Sequence, residues 1–332
     1  MMTSNRRIVL AGRPSGRPGL EHFRLETVQT PALADGQLLV RNHWLSLDPY
    51  MRGRMDAGRS YAPPQPLDET MIGATAGEVV ESRHPKFKVG DRVVGMLGWQ
   101  EYAVSNGSGL MKVDTSAIPL SAYLGAVGAP GVTAWYGLNR IIEPKAGETV
   151  VVSSASGAVG MVVGQLAKLA GCRAVGIAGG PDKCRFVVDE LKFDACIDYK
   201  HEDLDAALKA ACPDGADGYF ENVGGRVMDA VLPRLNTFGR IALCGLIAGY
   251  NGEPIPIANP RWLLVSRLKL QGFIVSDHME LWPKALGELG AHFAAGRLRY
   301  RESIAHGLEN APQAFLGLLE GRNFGKQLVK LV

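Results

Sequence analysis

Between residues 148 and 245, short apolar runs alternate with amphipathic helical ones at a regular pitch, and no other feature constrains the chain as strongly. "ETVVVSS" reads as a strand, "GAVGMVVGQLAKLAG" as a helix closed by Gly171, "RAVGIAG" as a strand, and "PDKCRFVVDEL" as a helix with Pro181 in its first turn. "ACIDY", a helix through "EDLDAALKAAC", the strand "GYFENV", a helix through "GRVMDAVLPRL" and the strand "GRIALCG" follow. Strand and helix in this alternation predict a parallel, doubly wound α/β sheet.

The turn after the first of these strands, "SSASGAVG" at 153 to 160, bears on function. In a dinucleotide-binding strand–helix unit one glycine permits the tight turn, a second lets backbone approach a pyrophosphate, and a third lets helix and strand pack closely. Gly157 and Gly160 occupy the second and third positions and Ala155 the first, so the turn should differ slightly in shape, since alanine uses positive φ less freely. The helix that follows offers free N–H groups and a partial positive charge to a diphosphate. Its apolar residues Val159, Val162, Val163, Leu166, Ala167 and Leu169 cover much of its circumference, as a helix packed on a sheet requires.

A carboxylate that holds an adenosine ribose 2′-hydroxyl belongs at the end of the second strand. Gly179 and Gly180 stand there instead, followed by Lys183, which can pair with a 2′-phosphate; NADP(H) is therefore expected rather than NAD(H). Asp182 argues the other way unless its side chain caps the helix.

Before residue 120, β-rich pieces such as "GQLLVRNHWLSL", "GATAGEVVES" and "DRVVGMLGWQEYAV" alternate with turn residues, which predicts a mostly antiparallel β domain. At 332 residues the chain exceeds the usual size of a single core. The helical "LWPKALGELGAHFAAGRL" and a final β-like "GKQLVKLV" are too short for a domain and should return to the N-terminal one. The expected division is 1–125 with 290–332 as the substrate domain and 126–289 as the nucleotide domain.

A net charge of +3 with no basic tract speaks against a nucleic-acid partner, and no apolar run reaches the ~18 residues of a membrane span. The opening "MMTSNRRIVLAGRPSGRPG" has too short an apolar stretch for a signal peptide, so a cytoplasmic protein is expected. Five scattered cysteines, Cys172, Cys184, Cys196, Cys212 and Cys244, contain no C-x-x-C pair and read as small reduced core residues. The seven histidines are equally scattered, and no metal site is expected.

"LDPYMR" (47–52), "GAPGVTAWYGL" (128–138), "SSASGAVG", "GYFENVGG" (218–225), "CGLIAGYN" (244–251), "LQGFIV" (270–275) and "EGRNFGKQLVKL" (320–331) together resemble the zinc-free medium-chain dehydrogenase/reductase superfamily, in its NADP-dependent alkenal/one reductase branch. The resemblance implies a GroES-like domain built from both chain ends, a Rossmann domain between them, and a homodimer. It implies that Gly157, Ala158, Val159 and Gly160 hold the pyrophosphate and that Lys183 and Tyr199, beside Gly179, meet the 2′-phosphate. Asn222, Cys244, Gly245, Leu246, Ile247 and Tyr250, a strand Phe273 to Val275 with Ile274 at its centre, and Asn323 would complete the cofactor site. Where zinc-dependent relatives place a ligand Cys and a Gly-His-Glu stretch, this chain reads "LSLDPYM" and "IGATAGEV". Two positions depart from the branch: Val265 stands where a tyrosine near the nicotinamide is usual, and Gly180 where a serine is.

The implied reaction is reduction of a C=C bond conjugated to a carbonyl, with quinone reduction on the same scaffold, or a non-catalytic cofactor-binding role, as rival readings. It requires alignment of donor and acceptor carbons and a hydrogen-bond donor at the developing oxyanion. Tyr50 is the first candidate for that donor and Tyr250 the second. Arg52 is expected to orient the loop through Asp48, and Trp44, Trp99, Met51 and Met55 to line an apolar substrate pocket.

Overall fold

The computed structural model describes residues 3–332; Met1 and Met2, which begin the opening segment read above, lie outside the described residues. Residues 3–124 form β1 (Ser4–Leu10), β2 (Phe23–Gln29), β3 (Leu38–Ser46), the short helix α1 (Tyr50–Arg54), β4 (Thr75–Ser82), β5 (Arg92–Gly95), β6 (Tyr102–Ser105) and β7 (Met111–Lys112). Residues 125–301 form α2 (Ala129–Tyr136), β8 (Thr149–Ser153), α3 (Gly160–Leu169), β9 (Arg173–Ala178), α4 (Pro181–Arg185), β10 (Ala195–Asp198), α5 (Leu204–Ala211), β11 (Ala216–Glu221), α6 (Gly225–Val231), β12 (Leu235–Leu243), α7 (Arg261–Val265), β13 (Lys269–Gly272) and α8 (Trp282–Ala294). β14 (Glu302–His306), α9 (Ala311–Leu319) and β15 (Lys326–Lys330) complete the chain.

Residues Gly125–Arg301 with Phe324–Lys326 make one unit, built on a six-stranded sheet in the order β10-β9-β8-β11-β12-β13. Its strand pairs are parallel, and the chain crosses back at β8, the arrangement in which ligands bind beyond the carboxyl ends of the strands. Val150, Val151 and Val152 of β8 are all fully buried, because helices cover both faces of the sheet. Val150 and Val152 pack with Val162 and Val163 of α3, whereas Val151 faces the other way, toward Leu208 of α5 and Val231 of α6. α3 ends as expected: Gly171 takes φ +79° and its N–H reaches the Lys168 carbonyl.

The other unit comprises the residues up to Leu124, Glu302–Asn323 and Gln327–Val332. Its main sheet runs β14-β15-β3-β4-β5-β7, with β6 also on β3; β3 pairs antiparallel with β4, β6 and β15. β1 and β2 form a separate antiparallel pair.

The division corrects the expected one at its second boundary, which falls after Arg301 and not at 289. Ala285 and Leu289 of α8 are fully buried in the core of the parallel-sheet unit, so the helix cannot leave it; only the chain after it returns to the antiparallel sheet.

The expected apolar pocket is corrected too. Met51, Met55 and Trp99 are fully buried in the first unit's core, where Trp99 stacks on Phe23 at 5.7 Å and meets Phe315 edge-on at 5.7 Å. They fill space between β1, β3 and α9. Trp44 is half-buried at the edge of a smaller cluster, with the Lys330 ammonium 5.9 Å from its ring. Arg52 does not meet Asp48. It is 1% exposed and donates to Asp56 at 2.8 Å and to the Gly16 carbonyl at 2.7 Å, so it fastens α1 to the segment before β2.

Candidate functional site

The turn after β8 solves the missing first glycine in an unexpected way. The left-handed residue is Ser154, at φ +51°, one position before Ala155. Ala155 is fully buried, donates its N–H to Ile177 of β9 at 3.0 Å, and places its methyl group over Gly176, where a Cβ would stand 2.8 Å away. Ala155 is therefore a packing residue between the strands, and the turn closes when the Ser154 carbonyl accepts the Gly157 N–H at 2.9 Å. A Cβ on Gly160 would lie 2.3 Å from that carbonyl oxygen, so this position requires glycine; one on Gly157 would stand 2.8 Å from the Ser154 Oγ and 3.1 Å from its carbonyl oxygen, a tight fit. No side chain caps the start of α3; Gly160 is its first residue, and Ala158 and Val159 lead into it.

At the end of β9 the chain turns through Gly179 and Gly180, the latter at φ +107°, a backbone conformation that excludes the branch's usual serine without strain. A Cβ on Gly179 would meet the Tyr199 ring at 2.9 Å and the Lys200 Cε at 3.0 Å. The Tyr199 and Lys200 side chains thus close over the bare backbone of Gly179. Lys183 stands close enough to Lys200 to feel its charge; burial first, and Lys200 second, hold its ammonium below the ordinary lysine value. Lys200 was not singled out from the sequence, although the strand order puts residues 199 and 200, just past β10, beside residue 179, just past β9.

Asp182 does not cap α4. It is exposed and pairs with Arg185. The buried carboxylate here is Asp198, which accepts the Gly180 N–H at 2.8 Å, the Lys200 N–H at 3.1 Å and a bond from His201 at 2.8 Å. Burial opposes its ionisation, but the Gly180 N–H, His201 and the Lys200 N–H outweigh it and hold the carboxyl below its ordinary range. A cavity of about 630 Å³ opens beside this corner, lined among others by Lys183, Arg185, Phe186, Arg301, Phe324 and the acidic Asp189 and Glu190. The Arg301 guanidinium lies 3.9 Å from the Phe324 ring centre. Paired lysines, a tyrosine hydroxyl and a glycine that leaves them room form a donor set that fits the 2′-phosphate of a dinucleotide.

The remaining expected cofactor residues of this unit line two loops that are zipped together. Cys244 and Gly245 donate their N–H groups to the Glu221 carbonyl, Ile247 to that of Asn222, and Ala248 to that of Val223. Asn222 is fixed by its own N–H to the Ser153 Oγ and by its Nδ2 to the Ser153 carbonyl, both at 2.8 Å. Behind it the fully buried Glu221 takes bonds from Ser153, Tyr219 and the Val223 and Gly224 N–H groups. Burial pushes its carboxyl up despite those donors. The Tyr250 hydroxyl turns back onto its own loop and accepts the Leu246 N–H at 3.4 Å; burial raises its pKa above the usual phenol value.

The expected strand Phe273 to Val275 is not one. β13 ends at Gly272, because its partner β12 ends at Leu243, the residue paired with Gly272. Phe273 packs its ring on Tyr136 and Phe220, Ile274 remains extended, and Val275 opens a 3₁₀ turn. Their backbone groups lie outside the ladder. Asn323 belongs to the other unit, in the loop between α9 and β15.

In that unit Tyr50 opens α1, half-buried against the core around Met51 and Trp99. Burial, reinforced by Asp48 and Tyr61, pushes its hydroxyl far above the usual phenol value, so it is a neutral donor. Val265 ends α7 and is exposed. Among the described residues no group of three or more His, Cys, Asp or Glu side chains is placed to hold a metal ion, and no helix is long and apolar enough to cross a membrane.

Residues 6–113 match the family model of the N-terminal domain of oxidoreductases, and residues 158–291 that of zinc-binding dehydrogenases. The chain is 48% identical over 334 residues to the NADPH-dependent curcumin reductase of Escherichia coli (strain K12), covering 98% of this chain and 97% of that one. It is 43% identical over 337 residues to the NADP(+)-dependent 2-alkenal reductase of Nicotiana tabacum, covering 98% and 97%. The crystal structure of CurA from Vibrio vulnificus in complex with NADPH matches with a TM-score of 0.94 at 47% identity, over 98% of this chain and 99% of that one. Identity at this level along nearly the whole chain, on a Rossmann sheet with a phosphate-fitting corner, settles the family: the chain belongs to the alkenal reductase branch of the medium-chain dehydrogenase/reductase superfamily.

Proposed function

We propose that this chain uses NADPH to reduce the C=C bond of α,β-unsaturated aldehydes and ketones, without zinc, as a cytoplasmic homodimer. The observation that carries the cofactor choice is the corner where Lys183, Tyr199 and Lys200 gather at Gly179. The reaction class draws its support from relatives named for curcumin and 2-alkenal reduction. Zinc independence draws its support from "LSLDPYM" and "IGATAGEV", which lack the ligands of zinc-dependent relatives. β13, the last strand of its sheet, with exposed Leu264 and Val265 on the preceding helix, gives a dimer a place to form.

Gly157, Ala158, Val159 and Gly160 hold the pyrophosphate on the uncapped end of α3, and Asn222 with residues 244–250 positions the rest of the nucleotide. Bound NADPH supplies the hydride that the β-carbon of the substrate accepts. Negative charge then moves to the carbonyl oxygen, where a neutral hydroxyl stabilises it. Tyr50 is that donor in this reading, since burial keeps it protonated; Tyr250 is the second candidate. NADPH oxidation followed with 2-alkenals, cyclic enones and quinones, with product analysis, tests the reading. Saturated carbonyl products are expected, and activity confined to quinones overturns it. Metal analysis of the active protein and light scattering test the zinc-free and dimeric parts.

A further inference from the structure

Cys184 and Cys196, isolated from each other in the sequence, are brought together by the fold: the Cys196 thiol donates to the Cys184 Sγ at 3.2 Å. Cys184 sits on α4 beside Lys183, and Cys196 on β10 just before Asp198, Tyr199 and Lys200. Space for the Cys196 sulfur comes from Gly176, its register partner on β9, whose Cβ would lie 3.3 Å from it. Neither cysteine is fully buried, in contrast to Cys172 and Cys212.

Cys184 differs chemically from the other thiols, its partner included: the contact with Cys184 and burial push the Cys196 thiol far up. The bond from Cys196 holds Cys184 below the ordinary thiol value, against burial and the nearby Asp198 and Glu202 carboxylates. Burial instead pushes Cys212 up to about 11 and Cys244 up to about 12, and raises Cys172. Thiolate character selects the site of oxidation, and a resolving thiol in contact carries it on to a disulfide.

We propose that Cys184 and Cys196 are a peroxide-oxidised dithiol whose disulfide weakens NADPH binding at the adjacent 2′-phosphate corner, an inference that rests on the cofactor reading above. The Cys184 thiolate attacks one oxygen of hydrogen peroxide and the O–O bond breaks, which leaves a sulfenic acid and a hydroxide that takes up a proton as water. The Cys196 sulfur then attacks the Cys184 sulfur; the S–S bond forms, the S–O bond breaks, and a second water leaves with the thiol proton. Two thiols lose two electrons and one peroxide becomes two waters. The two sulfurs must close by about 1 Å to reach bonding distance. Helix α4 is the partner that moves, since its five residues include none that is buried, whereas β10 is hydrogen-bonded to β9. Lys183 moves with it, away from its place relative to Tyr199 and Lys200.

The test treats the full chain with graded hydrogen peroxide, blocks free thiols, maps peptides without reduction, and measures NADPH and NADH dissociation constants before and after. The expected result is a linked Cys184–Cys196 peptide pair and an NADPH affinity about tenfold weaker, as for one impaired charge-assisted contact. NADH binding should be unchanged, and dithiothreitol should restore the NADPH affinity. Cys184→Ser, at a partly exposed position, should bind NADPH as the parent does and lose the peroxide response; Cys196→Ala provides the same check from the strand side. Oxidation that stops at Cys184 sulfinic acid, or a linked pair with unaltered NADPH affinity, overturns the proposal. Failure of the cofactor reading looks different: the reduced protein would then show no preference for NADPH over NADH, whether or not the peptides link.

Discussion

The Gly180 N–H donates to the Asp198 Oδ1 at 2.8 Å and so ties the end of β9 to the end of β10. Asp198 is buried, and with the Lys200 N–H and His201 also upon it, its charge is engaged by the protein's own donors. In the reading proposed above, Lys183 and Lys200 meet the nucleotide's 2′-phosphate, and the nearest buried carboxylate, Asp198, is engaged by these donors. In that reading the preference for a phosphorylated nucleotide depends on where a carboxylate is held as much as on where lysines stand.

Lys183→Ala should raise the KM for NADPH about 10- to 100-fold, the loss of one charge-assisted contact of ~1.5–3 kcal/mol, and leave that for NADH within about twofold. Steady-state kinetics with both nucleotides check this. An equal loss for both would place Lys183 outside the 2′-phosphate site.

The same lysine sets a pH dependence. Burial and Lys200 lower its pKa from 10.5. A bound phosphate favours the charged form, so affinity is fully present below the free protein's lysine pKa and falls as pH rises through it. NADPH affinity should therefore begin to fall below pH 10.5, with NADH affinity flat across the same window. Lys200→Ala should move the fall to higher pH, as binding titrations across the alkaline range would reveal.

Gly160→Ala puts a methyl group 2.3 Å from the Ser154 carbonyl oxygen and 2.9 Å from the Ala155 Cα, both backbone atoms that cannot swing aside. Overpacking of this kind costs about 1–3 kcal/mol, and the displaced turn should lose NADPH and NADH alike. Thermal unfolding with and without nucleotide measures both effects; a normal nucleotide-induced rise in Tm would contradict the assignment of this turn.

Trp99→Ala removes the ring held between Phe23 and Phe315 and should destabilise the protein by about 3–5 kcal/mol. The KM for enones in the folded protein should not change, because the ring lies in the core. Denaturant unfolding and kinetics on the same preparation separate the two.

Tyr50→Phe keeps the ring's packing and deletes the donor. Loss of one oxyanion donor typically costs about 10²- to 10³-fold in kcat, and NADPH affinity should stay as it was. An unchanged kcat would transfer the role to Tyr250, where the same substitution is the next measurement.

The sequence by itself determined the parallel sheet, its place in the chain, and the glycines at 157, 160 and 179, because apolar periodicity and steric demands on a turn are local properties. The same locality showed that Ala155 must alter the turn, but not that Ser154 takes the left-handed conformation while Ala155 packs over Gly176 between the strands. Only the tertiary structure decided that α8 stays with the parallel sheet, that Met51, Met55 and Trp99 are core, and that pairing ends at Gly272. It also placed Lys200 near Lys183, and Cys196 against Cys184. Each of these is a contact between chain segments that are distant in sequence, set by strand order and register, and no window of adjacent residues encodes it alone.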